Sequence, residues 1–260
     1  MTAGVSPSRT LGHVETVMGT AVSFVLYPGA LSDTAVHSAL ARACRTLHEA
    51  DQTFSTWKPQ SPVSRLRRGE ATIEELPTEV ATVLGLCEHV KSASGGWFDP
   101  WAMPGGVDPT GLVKGWAAER ALAELAQAGV RAAMVNAAGD LGVHGRPAPE
   151  EPWRVGIRHP WRVDALACVI EADAAVATSG AYERGEHLID PNSGRPLTRA
   201  ASATVTGPSL AIADALATAL VVAGADEIGF VTALAGYDAY VISPDGSELA
   251  SNGIRFVPSA

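Results

Sequence analysis

Residues 175–196 read AVATSGAYERGEHLIDPNSGRP, and this stretch decides how the chain is organised. Thr178, Ser179 and Gly180 place two hydroxyls on a flexible backbone, and Tyr182, His187 and Asp190 follow within a dozen positions. An apolar run precedes them, and Pro191, Asn192, Ser193 and Gly194 form a turn signal after them, which predicts two short strands joined by a polar loop. Polar groups so placed face a cleft or solvent. A hydrogen-bonded hairpin in which His187 only satisfies its neighbours is the plainer alternative.

Outward from this stretch, two other segments carry chemistry. Asp108, Pro109, Thr110, Gly111, Leu112, Val113, Lys114 and Gly115 form a turn that opens a helix running to Gln127 and closed by Gly129. Unpaired N–H groups, the positive end of the helix dipole and one lysine meet there, which suits a phosphate or a metal. Gly106 and Gly111 have the spacing of a P-loop, but Leu112 and Val113 stand where that motif needs Lys and Ser or Thr, so it is excluded. Asp214 and Thr218 lie four apart in an apolar helical pattern from Ile212 to Val222, so they share a face and can point oxygens at one ion. Taken alone, such a pair is common in helices and is explained most of the time by capping or surface exposure.

The remaining pattern interleaves strands and helices. Strands are predicted at Val14–Val17 and Ala21–Tyr27 around a bend at Met18, Gly19 and Thr20, and at 132–135, 153–157, 165–170, 202–206, 239–243 and 254–257. Helices are predicted from Leu31 to about Gln52, at 79–94 before Gly95 and Gly96, and at 226–235. No G-x-G-x-x-G follows a strand, so a Rossmann site is not expected. With 260 residues, 47% of them hydrophobic and 18% charged, the chain can bury a large core. A formal charge of −9 and 19 dispersed Lys and Arg argue against nucleic-acid binding. Cys44, Cys87 and Cys168 form no C-x-x-C pair, which points away from disulfides and structural zinc and towards a reducing compartment. Ala211–Ala223 is too short and too interrupted by Asp214 to span a bilayer, so no membrane insertion is expected.

The pattern T-S-G-x-Y followed by H-x-I-D-P-x-x-G-x-P, carried by Thr178, Ser179, Gly180, Tyr182, His187, Ile189, Asp190, Pro191, Gly194 and Pro196, resembles the ApbE family of FAD:protein FMN transferases. The resemblance extends to Met18-Gly19-Thr20, to Phe54–Trp57 with Ser61–Leu66, to Trp97–Pro100, to the Asp108–Gly115 turn and to the A-D-x-x-x-T of Asp214 and Thr218. It covers the chain from Met18 to about Gly224. Trp57 stands where the family commonly has Tyr, and Ala138 precedes Gly139 where two glycines are usual.

The resemblance implies an α+β, T-fold-like architecture of antiparallel sheets with packed helices, as one domain over 1–260 with the option of two lobes around a cofactor cleft. It implies FAD contacts at Met18, Trp57, Trp97, Phe98, Asp99, Asp108, Lys114, Thr178, Ser179, His187 and Ile189. An aromatic such as Trp57 against a flavin or purine face is worth on the order of 1 kcal/mol beyond burial. Magnesium would be held by Gly111, Asp214 and Thr218, a sparse hard-oxygen set that leaves room for water and phosphate. Lys114 would neutralise charge, and His187 or Asp190 would serve as base. Taken singly, Met18 reads as a core methionine, Trp57 as a semi-buried ring, Lys114 as a solvated helix-end lysine and Asp108 as a turn carboxylate. The implied reaction is magnesium-dependent transfer of FMN from FAD to a Thr or Ser hydroxyl of an acceptor protein, with AMP leaving. An FAD pyrophosphatase yielding FMN and AMP, or a flavin-binding module without turnover, are the alternatives. Many family members are exported lipoproteins, whereas the N-terminus shows neither a signal-peptide pattern nor a lipid-accepting Cys, which predicts a cytoplasmic protein.

Overall fold

A computed structural model describes residues 9–148, 151–180 and 188–258. Strands β1 (Leu11–Val17) and β2 (Thr20–Tyr27) are followed by helices α1 (Asp33–Phe54), α2 (Pro62–Arg67), α3 (Thr78–Ala93) and α4 (Thr110–Gln127). Then come β3 (Ala132–Ala137), β4 (Asp140–His144), β5 (Trp153–Arg158), β6 (Leu166–Ala172) and β7 (Ala175–Gly180). The chain continues with β8 (Ile189–Asp190), β9 (Arg195–Pro196), β10 (Ser202–Gly207), α5 (Leu210–Ala223), α6 (Gly229–Thr232), β11 (Asp238–Ile242) and β12 (Glu248–Ala250).

Eight strands form one sheet in the order β1-β2-β3-β4-β7-β10-β11-β12, every neighbouring pair antiparallel. Alternation along the strands gives the sheet two apolar faces. Ala133, Val135, Ala137, Ala175, Ala177, Ala203, Val205 and Ala239 share one core with α1, α4 and α5. These small side chains let the helices lie close to the sheet. On the opposite face Val143, Val176, Tyr240 and Ile242 pack against the β5–β6 ribbon through Trp153, Val155, Ile157 and Ile170. The antiparallel α+β class expected from the sequence is therefore observed.

Register places the functional end of the sheet. Met18 and Gly19, with φ of 54° and 69°, make the two-residue turn that joins β1 to β2. Ala138 and Gly139, with φ of 54° and 102°, do the same between β3 and β4. Positive φ at both central residues is the type I′ pattern that matches the twist of a hairpin, so the expected bend at Met18 is a tight hairpin turn. Val22 pairs with Ala137, Asp140 with Ala177 and Ser202 with Gly180, so both turns and the end of β7 lie at the same rim.

Three expectations are corrected. The strand of the 175–196 stretch does not pair within that stretch: β7 lies between β4 and β10, while Ile189–Asp190 pairs with Arg195–Pro196 as a separate ladder. The helix expected at 226–235 is a 3₁₀ turn at Ala225–Glu227 and the single turn of α6, because Gly229 weakens a segment already too short to repay helix nucleation. The strand expected at 254–257 is reduced to a lone bridge between Phe256 and Ile170; β12, directly after the Asp245-Gly246 turn, takes the place beside β11. Among the described residues no helix is long and apolar enough to cross a membrane.

Candidate active site

The rim of the sheet, the C-terminal end of α1 and the N-terminal end of α4 enclose a cavity of about 610 Å³. Each wall has a local cause. Ser61 caps α2 by accepting from the Ser64 N–H at 3.0 Å, with Pro62 at the first helical position, as helix starts favour. The Ser61 and Ser64 hydroxyls both donate to the Ser55 carbonyl, at 2.6 and 3.1 Å, and so fix the bend that carries Trp57. Trp57 is 92% exposed and lines the mouth of the cavity. Trp97 and the buried Phe98 also line the cavity, and the Arg199 guanidinium lies 4.8 Å from the Trp97 ring centre.

The carboxylates in the lining are anchored. Asp99 accepts from the Trp101 N–H at 2.9 Å and pairs with Lys91 at 2.9 Å, a hydrogen bond that holds the Lys91 ammonium above its usual range. Asp108 accepts from the Thr110 N–H and hydroxyl at 3.0 and 2.6 Å and meets Arg67 at 3.2 Å. Arg67 also donates to the Val107 and Pro104 carbonyls, so one guanidinium holds the whole approach to α4. Asp51 and Lys58, a further lining pair, lie 2.6 Å apart.

At the floor, α4 and α5 meet. Asp214 is buried, and its Oδ2 accepts from the Gly115 N–H at 2.9 Å. One turn along α5, Thr218 Oγ1 lies 3.2 Å from Ser179 Oγ on β7. Gly111 is packed against the same spot: a Cβ there would lie 3.2 Å from Phe98 and 4.0 Å from Thr218 Cγ2. In a helix the carbonyl of residue 111 is directed towards the N–H of residue 115, the same N–H that Asp214 takes. Gly111 and Thr218 line the cavity and Asp214 is buried one helical turn before Thr218, so carboxylate, hydroxyl and helix carbonyl make a hard-oxygen set whose chemistry fits magnesium.

The structure brings Met18, Trp57, Trp97, Phe98, Asp99, Asp108, Gly111, Lys114, Ser179, Ile189 and Thr218 into the cavity lining. Thr178, Asp190 and Asp214 are buried outside that lining. Thr178 shares a 2.9 Å hydrogen bond with Thr204, and Asp190 accepts from the Asn192 N–H at 2.9 Å and the Ser193 hydroxyl at 3.1 Å. Tyr182 and His187 lie outside the described residues. Sequence reading missed Asp140, which is fully buried at the start of β4 and forms an ion pair with Lys114. It directly follows the Ala138-Gly139 turn, and its burial at the sheet rim has no local signal in the sequence.

The ApbE family pattern matches residues 18–106 and 102–241. A Rhodobacter capsulatus protein named FAD:protein FMN transferase is 37% identical over 162 residues, 57% of this chain and 30% of that protein. A Chlamydia trachomatis protein of the same name is 27% identical, across 83% of this chain and 84% of its own length. A solved structure, the flavin transferase ApbE from Vibrio cholerae, superposes with a TM-score of 0.80 at 24% identity, covering 95% of this chain and 98% of that one. The chain spans less than half the length of the first two curated relatives it matches, 30% and 41%.

Proposed function

Because the chain belongs to the ApbE family, we propose that it is, as one flavin transferase domain, an enzyme that moves FMN from FAD to a Ser or Thr hydroxyl of an acceptor protein and releases AMP, with magnesium bound. The observation that supports this reading is a cavity walled by aromatic rings and lined by Gly111 and Thr218, with the carboxylate of Asp214 buried one helical turn before Thr218 and bonded to the Gly115 N–H. Largely apolar concavities with a few convergent polar groups are the usual form of a small-molecule site.

Trp57, Trp97 and Phe98 offer faces for the flavin and purine rings, and the Met18-Gly19 turn lines the same cavity. Gly111, Asp214 and Thr218 would hold the magnesium, which supplies charge neutralisation at the diphosphate bridge of FAD. Lys114 adds a fixed cation at the same end, its ammonium oriented by Asp140. The acceptor hydroxyl oxygen forms a bond to the flavin-side phosphorus as the bond from that phosphorus to the bridging oxygen breaks. AMP departs with the bridging oxygen. We assign the proton of the attacking hydroxyl to His187, next in the chain to the cavity residue Leu188. Asp190, as holder of the turn between Ile189 and Arg195, is the second candidate.

The test is incubation with FAD and Mg²⁺, with and without a Ser/Thr-containing acceptor domain, following AMP, free FMN and acceptor mass. AMP that appears together with an FMN mass gain on the acceptor supports transfer, and Asp214→Ala is expected to abolish both. AMP with free FMN and no mass gain would make the enzyme a hydrolase. FAD binding without AMP would make it a carrier.

A further inference from the structure

The face of β1 that looks at α1 should be apolar throughout, and at its ends it is, with Leu11 and the buried Val17. Between them stand His13 and Glu15, an i, i+2 pair on one side of the strand. Opposite, on α1, stand Cys44 and His48, an i, i+4 pair one helical turn apart. His13 Nε2 is 3.1 Å from Glu15 Oε2, and His48 Nε2 is 2.9 Å from Glu15 Oε1. Ligand atoms of His13, Glu15 and Cys44 all lie within 4.8 Å of one another. We propose that His13, Glu15, Cys44 and His48 form a second metal site, for a zinc-class divalent cation, that clamps β1 to α1.

The donor chemistry selects the ion. Two imidazoles, a thiolate and a carboxylate are a borderline-soft set that suits zinc and is foreign to magnesium, which takes oxygen. Zinc bond lengths put tetrahedral ligand atoms about 3.4 Å apart, so the atoms of His13, Glu15 and Cys44, within 4.8 Å of one another, need side-chain rotation to close, and His48, already 2.9 Å from Glu15, would rotate in as the fourth ligand. The His48 side chain is 49% exposed and Glu15 25%, which leaves an entry path from solvent. Burial, then hydrogen bonding to Glu15, pushes the Cys44 thiol up to about 12. Binding therefore releases one proton from sulfur to solvent as the metal–sulfur bond forms.

The site's position gives it a consequence. β1 ends at the Met18-Gly19 turn and α1 runs on to Asp51 and Phe54, all of which line the cavity. A cation here would brace two cavity walls from behind. The competing explanation is edge protection, since β1 is an outer strand and inward-facing charge discourages sheet-to-sheet association. Edge protection requires neither the thiol nor the helix imidazole.

The experiment uses the full chain, stripped with chelator, reduced and kept anaerobic, and titrated with Co²⁺ as a spectroscopic stand-in for Zn²⁺. The expected result is one equivalent of four-coordinate Co²⁺ with a thiolate-to-metal charge-transfer band, bleached by one equivalent of Zn²⁺. Cys44→Ser should abolish the band, Cys168→Ser should keep it, and Asp214→Ala should keep it too. His48→Ala, at a half-exposed position that leaves the fold intact by circular dichroism, should weaken Zn²⁺ binding by roughly 100-fold, at least what the loss of an indirect partner costs. Absence of the band in the wild-type protein, its survival in Cys44→Ser, or unchanged Zn²⁺ affinity in His48→Ala would each overturn the site.

Discussion

Gly115 gives its backbone N–H to Asp214 at 2.9 Å, and a Cβ at position 115 would lie 2.5 Å from the Leu210 carbonyl oxygen and 2.9 Å from Asp214 Cβ. Helices α4 and α5 therefore touch with no space for a methyl group. Gly115→Ala is expected to push them apart, at a cost of about 1–3 kcal/mol typical of overpacking. The same shift moves Asp214 away from Gly111. Urea unfolding and the magnesium dependence of AMP release should both worsen, and a variant unchanged in both would contradict this account of the floor.

Lys114 and Asp140 form the second coupled pair. Asp140 is completely buried, so replacing Lys114 with Met removes the cation that this carboxylate faces. Breaking a buried ion pair from one side costs about 3–5 kcal/mol, and the partial exposure of Lys114 puts the expected loss near the lower end. Adding Asp140→Asn to Lys114→Met should restore most of the stability. If Lys114 has the proposed role at the phosphate end, the double variant should not regain AMP release. Denaturant midpoints of the single and double variants decide the point.

Trp57 separates binding from folding. At 92% exposure it contributes little to the core, so Trp57→Ala should change unfolding free energy by less than about 0.5 kcal/mol. Loss of one aromatic contact of about 1 kcal/mol should weaken FAD binding roughly fivefold. Titration of FAD fluorescence checks the affinity, and an unaltered value would place the flavin elsewhere.

Alkaline pH should destabilise the metal-free protein. Burial pushes the Cys44 and Cys87 thiols up to about 12 and the Cys168 thiol to about 11, against an ordinary value near 9.0. Tyr240 is raised in the same direction by the same cause. Above pH 9 the unfolded chain loses these protons first, so the folded state binds more of them and stability falls as pH rises. The contribution is intact below pH 9 and is lost towards pH 11 to 12. Urea midpoints measured under reducing conditions from pH 7 to pH 10.5 should decline above 9, and a flat profile would contradict the burial of the thiols.

Much of the site could be read from local sequence because its parts are local. The Asp108 turn that opens a helix, and Asp214 with Thr218 on one helical face, need only spacing to be recognised. The I′ turns at Met18-Gly19 and Ala138-Gly139 were harder, since Met and Ala seldom adopt positive φ and only the following glycine hints at it. What escaped is non-local. β7 finds its partners at β4 and β10, more than twenty positions away on either side, and Asp140 meets Lys114 across 26 positions. Segments 226–235 and 254–257 are both short: Gly229 weakens the first as a helix, and β12 already occupies the place beside β11 that the second would take.

The cavity draws its lining from residues as far apart as Met18 and Val222. A molecule seated there touches the first hairpin, two helix ends and the last long helix at once, so occupancy should shield the whole polypeptide from proteolytic nicking rather than one loop. It also means that no severed half of the chain retains a usable site, and that gene fragments must reassemble before they can regain ligand.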